Sequence, residues 1–193
     1  MLDETLSEEI KEYKPRVELD YFFIADDFGN LKTFSYLTQK LIKNNGIVLE
    51  HGISSMVLTN DNRYLFIGGK SGLLLLFDIQ QQKQIRNYGR PIGAPITVMR
   101  STHDSKYLLI GSCFGNIIQF DIKQEKVVKN YNKVVQYGVN SMAISADNQF
   151  LFVGGVDGKL KQFDIIEHIE TNDYGKPLRS AITSIATTNG NKS

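Results

Sequence analysis

Short apolar runs alternate with clusters of turn residues along this chain, at the spacing of strands. In residues 51–93, Ile53–Leu58 is rich in apolar side chains and is followed by Thr59-Asn60-Asp61-Asn62. Asn and Asp side chains cap their own backbone and tolerate left-handed dihedrals, so this tetrapeptide predicts a turn. Tyr64–Ile67 is wholly apolar and aromatic, which predicts a strand covered on both faces. Gly68 and Gly69 follow, then a turn ending at Gly72, a strand over Leu73–Asp78 and a more polar strand over Gln84–Tyr88. Short strands with a turn signal every roughly ten residues predict antiparallel all-β structure. No stretch of the unit keeps helical spacing for the roughly 10–12 residues a helix needs.

The unit repeats. Phe77-Asp78, Phe120-Asp121 and Phe163-Asp164 lie 43 residues apart, and one step earlier stands Phe34. The same step joins Gly29, Gly72, Gly115 and Gly158; Ile24, Ile67, Ile110 and Val153; Tyr21, Tyr64, Tyr107 and Phe150; and Ile53, Ile96, Val139 and Ile182. No insertion or deletion interrupts the register from Tyr21 to Ile185. One small twisted sheet cannot bury both its faces alone, whereas stacked copies bury face against face. The expected fold is therefore all-β: β-propeller blades of four antiparallel strands with a 43-residue repeat, about four blades in all. The expected organisation is a leader over 1–14, then repeats over 15–193: a partial blade 18–50, blades 51–93, 94–136 and 137–180, and a partial blade 181–193. In the leader Leu2, Leu6, Ile10 and Tyr13 fall at helical spacing, so it reads either as a short docking helix or as a solvated extension.

The third copy carries a family resemblance. It runs Val139-Asn140-Ser141-Met142-Ala143-Ile144-Ser145-Ala146-Asp147-Asn148, then Phe150-Leu151-Phe152-Val153-Gly154-Gly155, Asp157-Gly158 and Phe163-Asp164. This resembles the WD-repeat family, and the likeness extends over about residues 18–188. Phe-Asp stands where that family usually has Trp-Asp, the opening Gly-His pair is absent, and the Asp before the turn glycine survives only as Asp157, against Phe28, Ser71 and Phe114 in the other copies. The resemblance therefore implies propeller blades without most of the family's buried Asp–His network. A second propeller family, with Tyr-Val-Thr-Asn-like repeats, shares the rhythm. In family strand order the chain opens with the second and third strands of a blade, about 19–35, and closes with the outer and inner strands of another, about 169–187. Three arrangements follow: a piece of a longer propeller, two chains paired into a ring of about eight blades, or a ring of about four closed by its own ends.

Composition adds little to this picture. The chain is 41% hydrophobic and 22% charged, as globular domains are. A formal net charge of +1 gives no bulk attraction to nucleic acid or anionic membranes. Cys113 is the only cysteine, which suits a reducing compartment. The acidic start lacks a secretory apolar region, and no apolar run approaches the roughly 20 residues of a membrane helix. The cytoplasm is the expected location, with the nucleus left open. His51, His103 and His168 occupy unrelated repeat positions, so no metal site is expected, nor any cofactor. Gly68-Gly69-Lys70-Ser71-Gly72 lies between strands rather than before a helix, and reads as a blade turn, not a phosphate cradle. Cys113 reads as a structural thiol and Asp26-Asp27 as a solvated pair.

One repeated set suggests an interaction site. Tyr88 with Arg90, Tyr131 with Lys133, and Tyr174 with Lys176 share one repeat position, between outer and inner strands. In propellers of the resembled family that connection lies on the face most used for partners. The set reads in two ways: a Tyr and cation arc for an acidic protein surface, or tyrosines wedging blade against blade with solvated cations. Phe28 and Phe114 lie on the same face, as contact residues if exposed and space-fillers if buried. The resemblance implies a non-enzymatic protein–protein scaffold or complex subunit. The alternatives are a lactonase- or hydrolase-type propeller, and nucleic-acid binding through the basic arc. The enzyme needs acids or histidines converging on the axis, but the matched inner-strand positions Ser54, Thr97, Asn140 and Thr183 are uncharged.

Overall fold

The structure, a computed structural model, describes residues 20–188, so the leader expected over 1–14 lies outside the described residues. Within them fifteen strands form and no helix. The first sheet comprises β1 (Tyr21–Ala25), β2 (Asn30–Ser35) and β3 (Lys40–Ile47), paired antiparallel in that order. The second runs β4 (Ile53–Leu58), β5 (Tyr64–Gly69), β6 (Leu74–Asp78) and β7 (Lys83–Asn87). The third runs β8 (Ile96–Ser101), β9 (Tyr107–Ser112), β10 (Asn116–Asp121) and β11 (Lys126–Lys133). The fourth runs β12 (Val139–Ile144), β13 (Phe150–Gly155), β14 (Leu160–Asp164) and β15 (Ile169–Asp173). Each sheet is a meander, so all ladders are local. The inner strands β4, β8 and β12 stand side by side around the axis.

The cores lie between sheets, not within them. Leu65, Ile67, Leu75 and Phe77 of the second sheet pack back onto Leu31 of the first and Leu49 of the connector that follows it. Phe66, Leu74 and Leu76 point the other way, onto Leu108, Ile110, Ile118 and Phe120 of the third. Leu109 and Ile117 then face Leu151, Val153 and Phe163 of the fourth. This explains why the middle strands lack the usual alternation of apolar and polar residues: both faces are covered. Each such side chain contributes about 1.5–3 kcal/mol on burial.

Small polar residues fix the turns. Asp78, Asp121 and Asp164, which end β6, β10 and β14, accept backbone N–H bonds from Gln81 (2.8 Å), Gln124 (2.7 Å) and Glu167 (2.8 Å). The repeated Phe-Asp pair thus joins a core anchor to a turn cap. Between first and second strands, Thr59, Thr102 and Ser145 donate to Asp61, Asp104 and Asp147 at 2.6, 2.5 and 2.6 Å. Gly115 has φ of 85°, and a methyl there would overlap the Val135 carbonyl of the connector folded over it; only glycine permits that approach.

One column of inner-strand side chains also bonds each sheet to the next inner segment. Ser54 Oγ donates to the Ile96 carbonyl (2.6 Å), Thr97 Oγ1 to Val139 (2.6 Å) and Asn140 Nδ2 to Ile182 (2.9 Å). The uncharged inner-strand column is therefore engaged by the backbone of the next inner strand.

At the ends, β3 gives the first sheet an outer strand, while its inner position beside β1 has no ladder among the described residues. Residues 181–188 lie along β12, with Ile182 N–H bonded to the Gly155 carbonyl (3.1 Å) and Thr187 Oγ1 to that of Ile144 (2.8 Å). They form no strand. The expected closing inner strand is thus in position but unpaired, and among the described residues the sheets make an open arc.

Phe120 tests this architecture, because it is 2% exposed and meets the second sheet edge-on through Tyr88. Phe120→Ala should destabilise the fold by about 3–5 kcal/mol, read from urea denaturation; a loss below about 1 kcal/mol would place this column outside the core.

Candidate interaction face

On one face of the arc, the turns that follow β1, β5, β9 and β13 meet the connectors that link sheets. The Lys70 N–H bonds to the Gly52 carbonyl (3.1 Å), Cys113 N–H to Pro95 (3.1 Å) and Val156 N–H to Gly138 (3.0 Å), each tying a turn to the connector before it. The connector after each turn folds back as well, with Val48 N–H on Gly29 O (2.9 Å) and Val134 N–H on Gly115 O (2.8 Å). These bonds hold the turn tips outward.

Phe28 and Phe114 sit at such tips and are 76% and 60% exposed. They stand in water rather than filling the space of a lost network. Asp157, in the same column, behaves differently: its carboxylate accepts the Gln136 N–H of the preceding connector (3.0 Å) and its own turn's Lys159 N–H (3.1 Å). Tyr137 (63% exposed) and Leu178 (54% exposed) rise from the connectors nearby. Sequence reading missed Tyr137 because its column holds His51, Ala94 and Ser180 elsewhere, so no repetition marks it.

Asp26 and Asp27 divide their work. Asp26 accepts bonds from the Asn30 side chain and from the backbone of Phe28 and Asn30, each 2.9 Å, and the Asn30 amide chiefly holds its carboxyl below the usual range. Asp27 pairs with Lys70 of the next turn at 2.8 Å, in the open, where such a pair contributes about 0–1 kcal/mol.

The repeated Tyr and cation set separates in space. Tyr88 lies half-buried between sheets, 5.1 Å from the Phe120 ring and 6.4 Å from Phe66, with its hydroxyl on Glu125 (3.2 Å). Tyr131 packs edge-on against Phe163 at 5.3 Å and donates to Gln119 Oε1 (2.8 Å). Both wedge one sheet against the next, and each aromatic pair adds about 0.5–1.5 kcal/mol beyond area burial. Tyr174, in the last sheet, donates to Gln162 (2.8 Å) and is 46% exposed. Arg90, Lys133 and Lys176 are all exposed at the connectors. Lys133 is paired across the ladder with Asn116 and precedes Val134, whose N–H holds the Phe114 turn. The cations therefore share a face with the exposed aromatics while Tyr88 and Tyr131 do not.

The histidines stay apart. His51 and His103 are exposed, and the His168 ring Nδ1 lies 3.2 Å from Gln119 Oε1. Among the described residues no group of His, Cys, Asp and Glu converges to hold a metal ion. No helix there is long and apolar enough to cross a membrane. A cleft of about 190 Å³ between the first two sheets is lined by Tyr21, Phe23, Tyr36, Leu58, Asn62 and Ile79.

These features have counterparts in known proteins. The family model "WD domain, G-beta repeat" matches residues 129–164, from the outer strand β11 to the end of β14. No curated protein matches in sequence. Among solved structures, a chain of the mitotic checkpoint complex aligns with TM-score 0.76 and 18% identity over 87% of this chain and 50% of its own. U3-55K aligns with TM-score 0.64 and 15% identity over 68% and 41%, and hydrazine synthase of Kuenenia stuttgartiensis with 0.72 and 17% over 84% and 46%. The chain spans half or less of the length of each of these chains. The fold is that of a β-propeller, and residues 129–164 match a WD-type repeat, with Phe163-Asp164 at the usual place of Trp-Asp.

Burial, and next the Glu125 charge, push the Tyr88 hydroxyl up from 10.0 to about 12. The fold thus favours the neutral phenol. Its contribution to stability is complete below pH 10 and declines as pH rises through about 12. Tyr88→Phe should flatten the fall of Tm across that window, measured by thermal melts of both proteins at stepped alkaline pH.

Proposed function

We propose that this chain is a non-enzymatic propeller scaffold that binds another protein through the turn-and-connector face. The observation that carries the reading is the pair Phe28 and Phe114, two large aromatics held outward on that face. Neighbouring Tyr137 adds amphipathic area, and exposed Arg90, Lys133 and Lys176 add positive charge. Buried aromatics with directed charges are the usual anchors of protein interfaces. The partner surface that fits is apolar with acidic residues around it. One of the three solved structures it resembles is a chain of a multiprotein complex, the mitotic checkpoint complex, which supports the class, while another is an enzyme; one fold serves many functions, and the named features supply the rest. A catalytic reading finds less support, since Ser54, Thr97 and Asn140 of the inner column are engaged in bonds between sheets.

The test uses immobilised acidic peptides with interspersed aromatic and aliphatic residues, with single-stranded and duplex oligonucleotides as controls. Peptide binding should be lost when Arg90, Lys133 and Lys176 are changed together to Glu, and again with Phe28→Ser and Phe114→Ser combined, while Tm stays within about 2 °C, because surface changes usually cost under about 0.5 kcal/mol. Retained binding in both variants would overturn the assignment of this face. Preference for oligonucleotide, falling steeply with salt, would overturn the protein-partner reading.

A further inference from the structure

The two ends of the arc each leave an apolar sheet face uncovered. Toward the preceding sheet, the second sheet presents Leu65, Ile67, Phe77 and Ile79, at 2, 1, 1 and 2% exposure. The fourth presents Leu151, Val153, Phe163 and Ile165 at 0, 0, 3 and 0%. In the first sheet the same columns hold Phe22, Ile24, Phe34 and Tyr36. There Phe22, Ile24 and Tyr36 are 44, 47 and 58% exposed, and Phe34 is only half-covered, stacked under Phe22. The opposite end shows the same. Phe66 and Leu74, which face the following sheet, are fully buried, whereas Phe152 and Leu160 in their columns are half-exposed and Tyr174 stands open. Phe22 and Ile24 are wet here at positions that the three following sheets bury fully, and Tyr36 and Tyr174 are open where their counterparts Ile122, Tyr88 and Tyr131 are at least partly covered.

We infer that the Tyr174 end of one chain docks on the Phe34 end of a second copy, so that two chains, each bringing four sheets, close a single propeller ring. The internal junctions dictate the register. Tyr88 meets Phe120 and Tyr131 meets Phe163; the next step of 43 residues sets Tyr174 on the second copy's Phe34. Across the same junctions Tyr88 reaches Glu125 and Gln119 reaches His168; the matching residue of the second copy is its Gln39, held like Glu125 and His168 at positive φ (56, 53 and 60°). Residues 181–188 already lie along β12 at the inner position, without a ladder, and β1 of the second copy has no ladder on its inner side among the described residues. Thr183 then continues the side-chain relay, donating to the second copy's Ile53 carbonyl.

A second copy fits better than the chain's own other end. No backbone hydrogen bond among the described residues joins 181–188 to the first sheet. The arc also superposes with TM-score 0.76 on a propeller chain of which it covers 50%, so its curvature is that of about half a ring. Self-closure would require about twice the turn at every junction. The junction uses sheet faces, not the Phe28 and Phe114 tips, so it stands or falls separately from the partner face.

Light scattering of the 193-residue chain should give the mass of two chains. Phe34→Glu and Tyr174→Lys should each give the mass of one, with the β circular dichroism spectrum kept. Mixing the two variants should restore the mass of two, because the mixed ring has one native junction and one Lys–Glu junction. In the unmutated protein, combining isotopically light and heavy chains should give cross-links between Lys32 of one and Lys176 of the other. A single-chain mass, whether from self-closure or from the chain's own residues 10–15 covering the β1 edge, would overturn the inference. So would a polydisperse sample, absence of light–heavy cross-links, or a Phe34→Glu protein that keeps the mass of two.

Discussion

Every sheet of this protein is apolar on both faces, and a sheet of three or four short strands cannot keep two such faces dry without neighbours. Packing of sheet against sheet is therefore the interaction on which the rest depends. It dictates that Leu65 and Phe66, adjacent in sequence, serve different cores. It demands equal spacing of units, because a shifted sheet would set Tyr88 against something other than Phe120. It leaves the rims free. Turns and connectors bury little, so Phe28, Phe114 and the connector cations are available for other uses.

The sheets were largely legible in the sequence because their physics repeats. A 43-residue step that returns Phe-Asp, a turn glycine and an inner-strand Ile/Val column records a constraint met again and again. The strand runs read from residues 51–93 differ from the observed β4–β7 by one or two residues at their ends, where hydrogen bonding rather than side-chain pattern sets the limit. The third strand of the first sheet escaped strand assignment, since Lys40–Ile47 is mostly exposed and has little apolar signature.

The candidate site was less legible. Repetition identified Tyr88, Tyr131 and Tyr174, but a repeated residue is first of all a residue that every junction needs. Tyr88 and Tyr131 serve that need, whereas the cations beside them stay on the open rim. Phe28 and Phe114 share a column with Ser71 and Asp157, and nothing in the sequence says whether an aromatic in that turn points inward or outward. Tyr137 is unique in its column. Features that differ between copies are where a repeat protein departs from scaffolding, and they leave the weakest periodic trace.

The relay from Ser54 to Ile96, Thr97 to Val139 and Asn140 to Ile182 always has its donor earlier in the chain and its acceptor on the next inner segment. The contact between sheets is thus heterologous, like the joint between subunits of a polar filament. Two leading ends brought together would oppose carbonyl to carbonyl, and two trailing ends would oppose hydroxyl to hydroxyl. The arc consequently has a head and a tail that it can tell apart, a safeguard against indiscriminate sticking that apolar surface alone does not provide.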